Sequence, residues 1–155
     1  MTTNSRGLLA FDPGASGGWA QLEPGGDRPH AFAWKSETEF LEFLSPINPA
    51  GYVAYVEDVP AFVASATSNA SSFKLGYNFG FLVGALRARR FPVELVKPKV
   101  WQKGLRGLKP KMGYTDRKRA IKDNAARLYP DLKVTNANAD AVMIMDWALK
   151  LKSAA

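Results

Sequence analysis

The chain has no cysteine and one histidine, His30, among its 155 residues. Disulfide frameworks and thiolate metal sites are therefore excluded, and any metal ion must be held mainly by oxygen ligands. Long apolar runs are also missing, since none approaches the roughly 18 residues that a membrane-spanning helix needs. The polar residues 1–6 lack the apolar stretch of a signal peptide. We expect a cytoplasmic protein with no membrane partner.

Basic residues are scarce in the first half of the chain. Residues 1–86 carry 4 basic and 8 acidic side chains, whereas residues 87–155 carry 17 basic and 6 acidic ones. Such asymmetry favours a polyanionic partner, and nucleic acid more than an anionic membrane. The alternative is a solvated basic face that only maintains solubility.

Length and patterning predict one α/β domain over residues 7–152, preceded by a flexible tail at residues 1–6. Short apolar and β-branched runs between turn residues predict strands at 7–12, 17–22, 31–35, 52–56 and 91–96, the first three forming an antiparallel meander. Helices are predicted from the Ser36 and Glu39 capping box through Phe43, and at 68–90, 116–129 and 138–151, with Thr115 as a cap. Residues 97–103 predict a helical turn, and residues 104–114 an exposed, mobile loop.

Three acids occupy unusual places. Asp12 and Glu57 follow apolar strands, and Asp140 lies near the start of an apolar helix. Buried carboxylates near one another are unfavourable unless cations bind them, and magnesium prefers such oxygen ligands. Two such ions about 4 Å apart activate water and stabilise the leaving oxygen in phosphoryl transfer. For Asp12 alone, a turn-forming role is the simpler alternative.

Several segments resemble the RuvC-like Holliday junction resolvases, most of all their small phage-type members. LLAFDPGASGGW resembles the first strand, acid and return strand of that family. YVAYVEDVPAF resembles its second acidic strand, SSFKLGYNFGFLVGAL its central helix, PVELVKPKVWQKGL its next strand and turn, and ANADAVMIMDWAL its final helix. The resemblance covers nearly all of residues 7–149.

The resemblance implies a ribonuclease-H-like α/β fold, in which helices flank a mixed sheet of an antiparallel meander and parallel strands. It implies a homodimer that makes two symmetric nicks in four-way DNA junctions during recombination and repair, with two Mg²⁺ or Mn²⁺ ions per active site. The compartment would be a bacterial or phage-infected cell, or another one that contains DNA. Asp12 matches the first metal-binding acid, Glu57 the second and Asp140 the last. Asp58 is expected to point to the opposite face of its strand.

One position departs from the family. A fourth acid or histidine usually precedes the last acid by three or four residues, where this chain has Ala137 and Asn136. Asn136 offers only a neutral carbonyl oxygen as a catalytic-site metal ligand. Three interpretations stay open: weaker metal binding with retained activity, a naturally inactive enzyme, or a substituted chain that traps its substrate.

Basic residues are the candidates for holding DNA, because lysine and arginine bind phosphates. The candidate DNA-binding residues are Phe62, Lys74, Lys97, Lys99, Lys103, Arg106, Lys109, Lys111, Arg117 and Lys118. Phe62 is either a wedge at the junction centre or a loop residue packed on the core. Trp101 is either a core residue or a platform for a base. The glycines at 76, 80 and 84 share one helix face, for packing on the sheet or on a second copy.

Two other functions compete with the resolvase. A protein that binds junctions without cleaving them would fit the missing fourth acid. A nuclease of the ribonuclease H type, acting on RNA, would use the same fold. All three bind phosphate backbones, so the salt dependence of binding would not separate them.

Overall fold

The computed structural model describes residues 5–59 and 68–154. Their strands are β1 (Gly7–Phe11), β2 (Gly18–Leu22), β3 (His30–Ala33), β4 (Tyr52–Glu57) and β5 (Val93–Val96). The helices are α1 (Glu37–Leu44), α2 (Asn69–Ala88), α3 (Pro98–Trp101), α4 (Tyr114–Leu128) and α5 (Ala139–Ser153), with a 3₁₀ turn at Pro49–Gly51. Within these ranges no helix has both the length and the apolar character needed to cross a bilayer.

The five strands form one mixed sheet in the order β3-β2-β1-β4-β5. The pairs β1–β2 and β2–β3 are antiparallel, as expected of a meander joined by short turns. The pairs β1–β4 and β4–β5 are parallel, and helices or longer segments connect them. The predicted α/β mixed sheet is therefore confirmed, with β1 at its centre.

Each face of the sheet carries its own apolar cluster, because successive strand residues point to opposite sides. Leu8 and Ala10 of β1 face the cluster formed with α3, α4 and α5. Leu9 and Phe11 face the cluster formed with α1 and α2. The sheet is thus the middle of three layers, and side chains at even positions of β1 point toward α5.

Local signals located most elements correctly, and the exceptions have physical causes. Ser36 caps α1 by accepting a hydrogen bond from Glu39 N, as its capping box predicted. The prediction of Thr115 as the cap of α4 is wrong, because that helix begins at Tyr114, two residues before the predicted start, and Gly113 is its N-cap. The strand predicted at 31–35 forms instead over His30–Ala33, where it pairs with β2.

The basic segment 104–113 belongs to the region predicted as an exposed, mobile loop, and most of its residues are exposed, but it is attached to the fold at several points. Leu105 and Leu108 pack against the cluster under α4 and α5. The buried Asn124 side chain accepts a hydrogen bond from Arg106 N at 3.1 Å and donates one to Arg106 O at 2.8 Å. A single amide side chain therefore ties the backbone of this segment to α4.

Candidate active site

Asp12 and Glu57 come together because they follow or end two neighbouring parallel strands. The β1–β4 register pairs Phe11 with Val56, so Asp12 and Glu57 are the next residues along each strand. By the alternation of side chains, both point to the face that α5 covers, and Asp58 points away from it. The Gly14 backbone N–H donates to Asp12 Oδ1 at 3.0 Å, which orients that carboxylate.

Gly17 allows the turn after β1 to close over Asp12. A Cβ atom at Gly17 would lie 2.8 Å from Asp12 Cγ, closer than real Cβ contacts allow. The return strand that begins at Gly18 also binds back here, since Asp12 N donates to Gly18 O at 2.9 Å. The glycines of the DPGASGG segment therefore allow the turn to hold the Asp12 carboxylate in place.

Asp140 joins the first two acids from the first turn of α5, where it is buried. The buried Asn138 side chain sets the start of that helix by accepting from Thr135 N at 2.9 Å and donating to Lys133 O at 3.1 Å. Since α5 packs on β1 and β2, its first turn lies over the end of β1. Asp140 thereby reaches the same edge of the sheet as Asp12.

Lys118 of α4 provides the positive charge between two of these acids. Its Nζ lies 3.0 Å from Asp140 Oδ2 and 3.8 Å from Asp12 Oδ2, and its side chain is mostly buried. Burial lowers the pKa of Lys118, but the carboxylates of Asp140 and Asp12 outweigh that effect and leave the pKa above its ordinary value. The amine is therefore protonated and partly neutralises the acids.

The negative charge of the three acids that Lys118 does not neutralise is still unfavourable, and the pKa values of the acids show this. Burial, and then repulsion from Asp12 and Asp140, raises the pKa of Glu57 from its ordinary 4.5 to about 8, against the opposing effects of Trp101 and Lys118. Burial, followed by repulsion from Asp140, likewise raises the pKa of Asp12. Such displaced pKa values are typical of functional sites, where charged groups are held together for chemistry at a cost in stability.

The three acids line one open pocket of about 730 Å³. The rest of its wall comes from the β1–β2 turn, α2, α3 and α4. The other lining residues are Gly14, Ala15, Ser16, Gly17, Ser71, Pro98, Gln102, Tyr114, Arg117, Lys118 and Ile121. Arg117 also donates a hydrogen bond to Gln102 Oε1, which joins α4 to α3 beside the acids. The pocket thus has an acidic floor and a basic wall.

The donor set is compatible with a divalent cation. Asp140 Oδ1 is buried and has no hydrogen-bond partner among the described residues, so an oxygen with unused acceptor capacity lies beside Asp12. The protonated amine of Lys118 shows that a positive charge is accommodated between the two aspartates. In the described ranges, however, no three acidic or histidine side chains form a ready-made metal cage.

The predicted site residues divide into three groups. Asp12, Glu57, Asp140, Arg117 and Lys118 line the pocket. Asn136 does not line it; it is exposed in the turn before α5, outside the helix, and its predicted role as a ligand has no support from this placement. Phe62 lies outside the described residues.

The other basic candidates are exposed and do not line the pocket. Lys74 is exposed on α2, and the rest lie on or after the β5 end of the sheet. The exposed members of that set are Lys97, Lys99, Lys103, Arg106, Lys109 and Lys111. None of them forms an ion pair with another described residue, and together with Lys74 we call them the outer basic surface.

Two contacts at the acids were missed by sequence reasoning. Lys118 was expected to bind phosphate only, although it shares a helix face with the buried Ile121 and Ala125, and a lysine on a buried face was a signal for a partner acid. Trp101 was left open as core or base platform. It is fully buried, which excludes the platform, and its indole Nε1 donates to Glu57 Oε2 at 2.9 Å.

The glycine face of α2 does not pack on its own sheet. A Cβ atom at Gly76, Gly80 or Gly84 would meet no described atom within 4 Å. Phe73 and Tyr77 on the same helix are 76% and 53% exposed. Of the two interpretations of this face, packing on the sheet is therefore wrong.

The fold defines a class: the mixed sheet flanked by helices is the ribonuclease-H-like fold of RuvC. The structure is similar to that of Thermus thermophilus RuvC in complex with a Holliday junction substrate, with a TM-score of 0.61 and 16% identity over 94% of this chain and 96% of that one. A second Thermus thermophilus RuvC structure has a TM-score of 0.58 at the same identity and coverage. Neither a protein-family model nor a curated protein sequence matches this chain.

Proposed function

We propose that this chain is a metal-dependent endodeoxyribonuclease that cuts four-way DNA junctions by paired, symmetric nicks. The observation that carries the proposal is the convergence of Asp12, Glu57 and Asp140 in one pocket with a basic wall. These acids come from three distant parts of the chain, and burial, followed by repulsion from the other two acids, raises the pKa of Glu57. An arrangement that is unfavourable for the free protein is well suited to binding cations.

In this proposal Asp12, Glu57 and Asp140 hold Mg²⁺ or Mn²⁺, two ions per site. Such ions, when bound, activate a water and stabilise the leaving oxygen of a phosphodiester. Lys118 lies beside Asp140 and Asp12, where its charge compensates two of the acids. Arg117, held by Gln102, lines the same pocket and supplies a cation for the approaching phosphate.

The outer basic surface positions the rest of the substrate. Lysine and arginine on surfaces around a nuclease site bind the DNA backbone without reading its sequence. This role belongs to Lys74 on α2 and to the exposed basic residues between positions 97 and 111. A wedge role for Phe62 remains a prediction.

The proposal includes a homodimer formed through α2. The glycines at 76, 80 and 84 leave a smooth strip that a second helix can approach closely, and Phe73 and Tyr77 supply exposed apolar surface next to it. Symmetric oligomers use such self-complementary patches. A two-fold protein also presents two sites to a junction with two equivalent strands.

A junction-binding protein without cleavage is the second candidate. Its support is that Ala137 and the exposed Asn136 provide no fourth carboxylate to the pocket, and that Lys118 already neutralises part of the acidic charge. Weaker metal binding is the common consequence of both features. The two candidates differ in whether the remaining three acids still support hydrolysis.

A cleavage assay distinguishes these functions. Labelled mobile four-way junction, linear duplex and RNA–DNA hybrid are incubated with the chain in Mg²⁺, Mn²⁺ or chelator. We expect paired nicks in the junction alone, lost with chelator. Asp12→Asn is the matched control, and it should lose cleavage while keeping junction affinity in a gel-shift assay, because Asp12 contacts cations and not phosphate.

The other outcomes have definite meanings. Tight junction binding without cleavage in either metal would favour the architectural candidate. Cleavage of the hybrid in preference to the junction would favour a ribonuclease H type of activity. Cleavage by Asp12→Asn at the wild-type rate would show that the chemistry lies elsewhere.

A further inference from the structure

Trp101 is buried at the back of the pocket. It ends the short helix α3, which directly follows β5, the parallel neighbour of β4. The indole is 1% exposed and packs in the same cluster as Val96 and Ile121. From there its Nε1–H donates to Glu57 Oε2 at 2.9 Å. A rigid core residue therefore holds one oxygen of a candidate metal ligand.

We propose that Trp101 is a positioning residue for the metal site: its indole N–H fixes the Glu57 carboxylate so that Oε1 is directed to a divalent cation. This inference rests on the metal site of the proposed function. A carboxylate at the end of a strand has several rotamers, and one strong hydrogen bond from a fixed donor selects among them.

The choice of an indole has a chemical reason. Its N–H is a donor without charge, so it holds Oε2 without adding a cation that would compete with the metal. A lysine or arginine in its place would form an ion pair with Glu57, as Lys118 does with Asp140. Asp140 thus has a charged partner, Lys118, whereas Glu57 has a neutral one, Trp101.

Packing alone does not explain the hydrogen bond. Trp19 is an equally buried indole on the other face of the sheet, and its Nε1 has no partner among the described residues. The fold therefore accepts a tryptophan for its apolar surface without satisfying the N–H. The N–H of Trp101, in contrast, donates a hydrogen bond to Glu57. Trp19 is therefore a matched control, because it is equally buried but lacks this bond.

The test compares Trp101→Phe with Trp19→Phe in the full-length chain. Both variants remove one buried indole and its N–H, so both lose some stability through the smaller ring. Mn²⁺ binding is measured directly by electron paramagnetic resonance of the free ion, without substrate. We expect Trp101→Phe to weaken Mn²⁺ affinity by about 10- to 100-fold, the usual effect of losing a partner of a metal ligand. Trp19→Phe should bind as wild type.

A second measurement keeps Trp101 in place and observes its indole N–H directly. The chain has 4 tryptophans, and each gives one indole N–H signal in a ¹⁵N correlation spectrum. The signal that moves in Glu57→Gln belongs to Trp101, and it should also move when Mg²⁺ is added to wild type. This readout holds even if Trp101→Phe does not fold.

The outcomes separate this inference from the proposed function. Wild-type Mn²⁺ affinity in Trp101→Phe, or no Mg²⁺ response of the indole signal, would overturn the role of Trp101. Failure of the wild-type chain to bind Mn²⁺ at all would overturn it together with the metal site. If wild type binds Mn²⁺ and Trp101→Phe does not, but no junction is cut, then the positioning role stands and the proposed cleavage is wrong.

Discussion

At the scale of single residues, the site combines acids whose charges repel with a few compensating partners. Glu57 has the indole of Trp101, Asp12 the backbone of Gly14, and Asp140 the amine of Lys118. None of these partners supplies two positive charges, so the acids retain a net negative charge. The metal-free protein should therefore respond to protonation and to the loss of Lys118.

The stability of the metal-free chain should fall as the pH rises from about 4.5 to about 8. Glu57 has its pKa raised from 4.5 to about 8 in the folded state, so the folded protein keeps a proton that the unfolded chain has lost. Its contribution is fully present below 4.5 and is lost as the pH passes 8. The raised pKa of Asp12 acts in the same direction.

Thermal unfolding in chelator at several pH values measures this effect. Glu57→Gln cannot ionise, so the difference between its Tm and that of wild type should change across this window and be constant above it. A difference that does not depend on pH would show that Glu57 titrates normally.

Lys118→Met should destabilise the metal-free chain by about 2 kcal/mol, because it leaves Asp12 and Asp140 as neighbouring buried carboxylates without a cation. Mg²⁺ should reduce the loss, since it supplies positive charge at the same place. Urea unfolding at neutral pH, with and without Mg²⁺, measures both effects. Lys122→Met, one turn further along α4, is the control and should change stability little; equal losses in the two variants would contradict the role of Lys118.

At the scale of elements, α4 connects the acids to the outer basic surface. Near the start of α4, Lys118 contacts Asp140 and Asp12. About two turns later on the same helix, Asn124 binds the backbone of Arg106. The basic segment 104–113 is thus held by the same helix that neutralises the site. If the chain binds DNA as proposed, this attachment would order the basic segment before binding and so reduce the entropy lost on binding.

Asn124→Ala should free the basic segment from α4. The Arg106 amide loses its acceptor, so its hydrogen exchange should become much faster, and unfolding free energy should fall by about 1–3 kcal/mol. Junction affinity should fall as well, because the segment must then be ordered on binding. Asp123→Ala, an exposed neighbour on the same helix, is the control. Unchanged exchange at Arg106 would show that packing of Leu105 and Leu108 is sufficient.

At the scale of the whole molecule, most of the basic residues and the glycine face lie on different elements. The basic residues concentrate on the segments that follow β5, while the glycine face, Phe73 and Tyr77 lie on α2. This separation allows a second copy to bind through α2 while the pocket and the outer basic surface stay open to DNA.

Gly80→Arg should convert the proposed dimer into a monomer. The new side chain enters a strip where a Cβ atom has no described neighbour within 4 Å, so the monomer itself should fold normally. Light scattering coupled to size-exclusion chromatography gives the mass of each form. Ala126→Arg, at an exposed position of α4, should leave the mass unchanged. A wild-type chain that is already monomeric at high concentration would contradict the dimer.

Much of the fold was predictable because its signals are local. Apolar runs located the strands, and the Ser36 capping box marked the start of α1. Asp12 and Glu57 were recognised because each ends an apolar run. Thr115 was misjudged because a hydroxyl near a helix start is a common cap, whereas α4 begins at Tyr114 with Gly113 as its N-cap and without a side-chain cap.

The sequence by itself determined where the candidate acids lie relative to the strands. It also determined that basic residues are concentrated in the second half of the chain. The tertiary structure alone decided which partners those acids have. Lys118 contacts Asp140, Trp101 contacts Glu57, and Asn124 contacts Arg106, and in each case the two residues are far apart in the sequence. Asn136 lies in the turn before α5, outside the pocket. Such contacts depend on how helices seat against the sheet, a result of packing that no local pattern encodes.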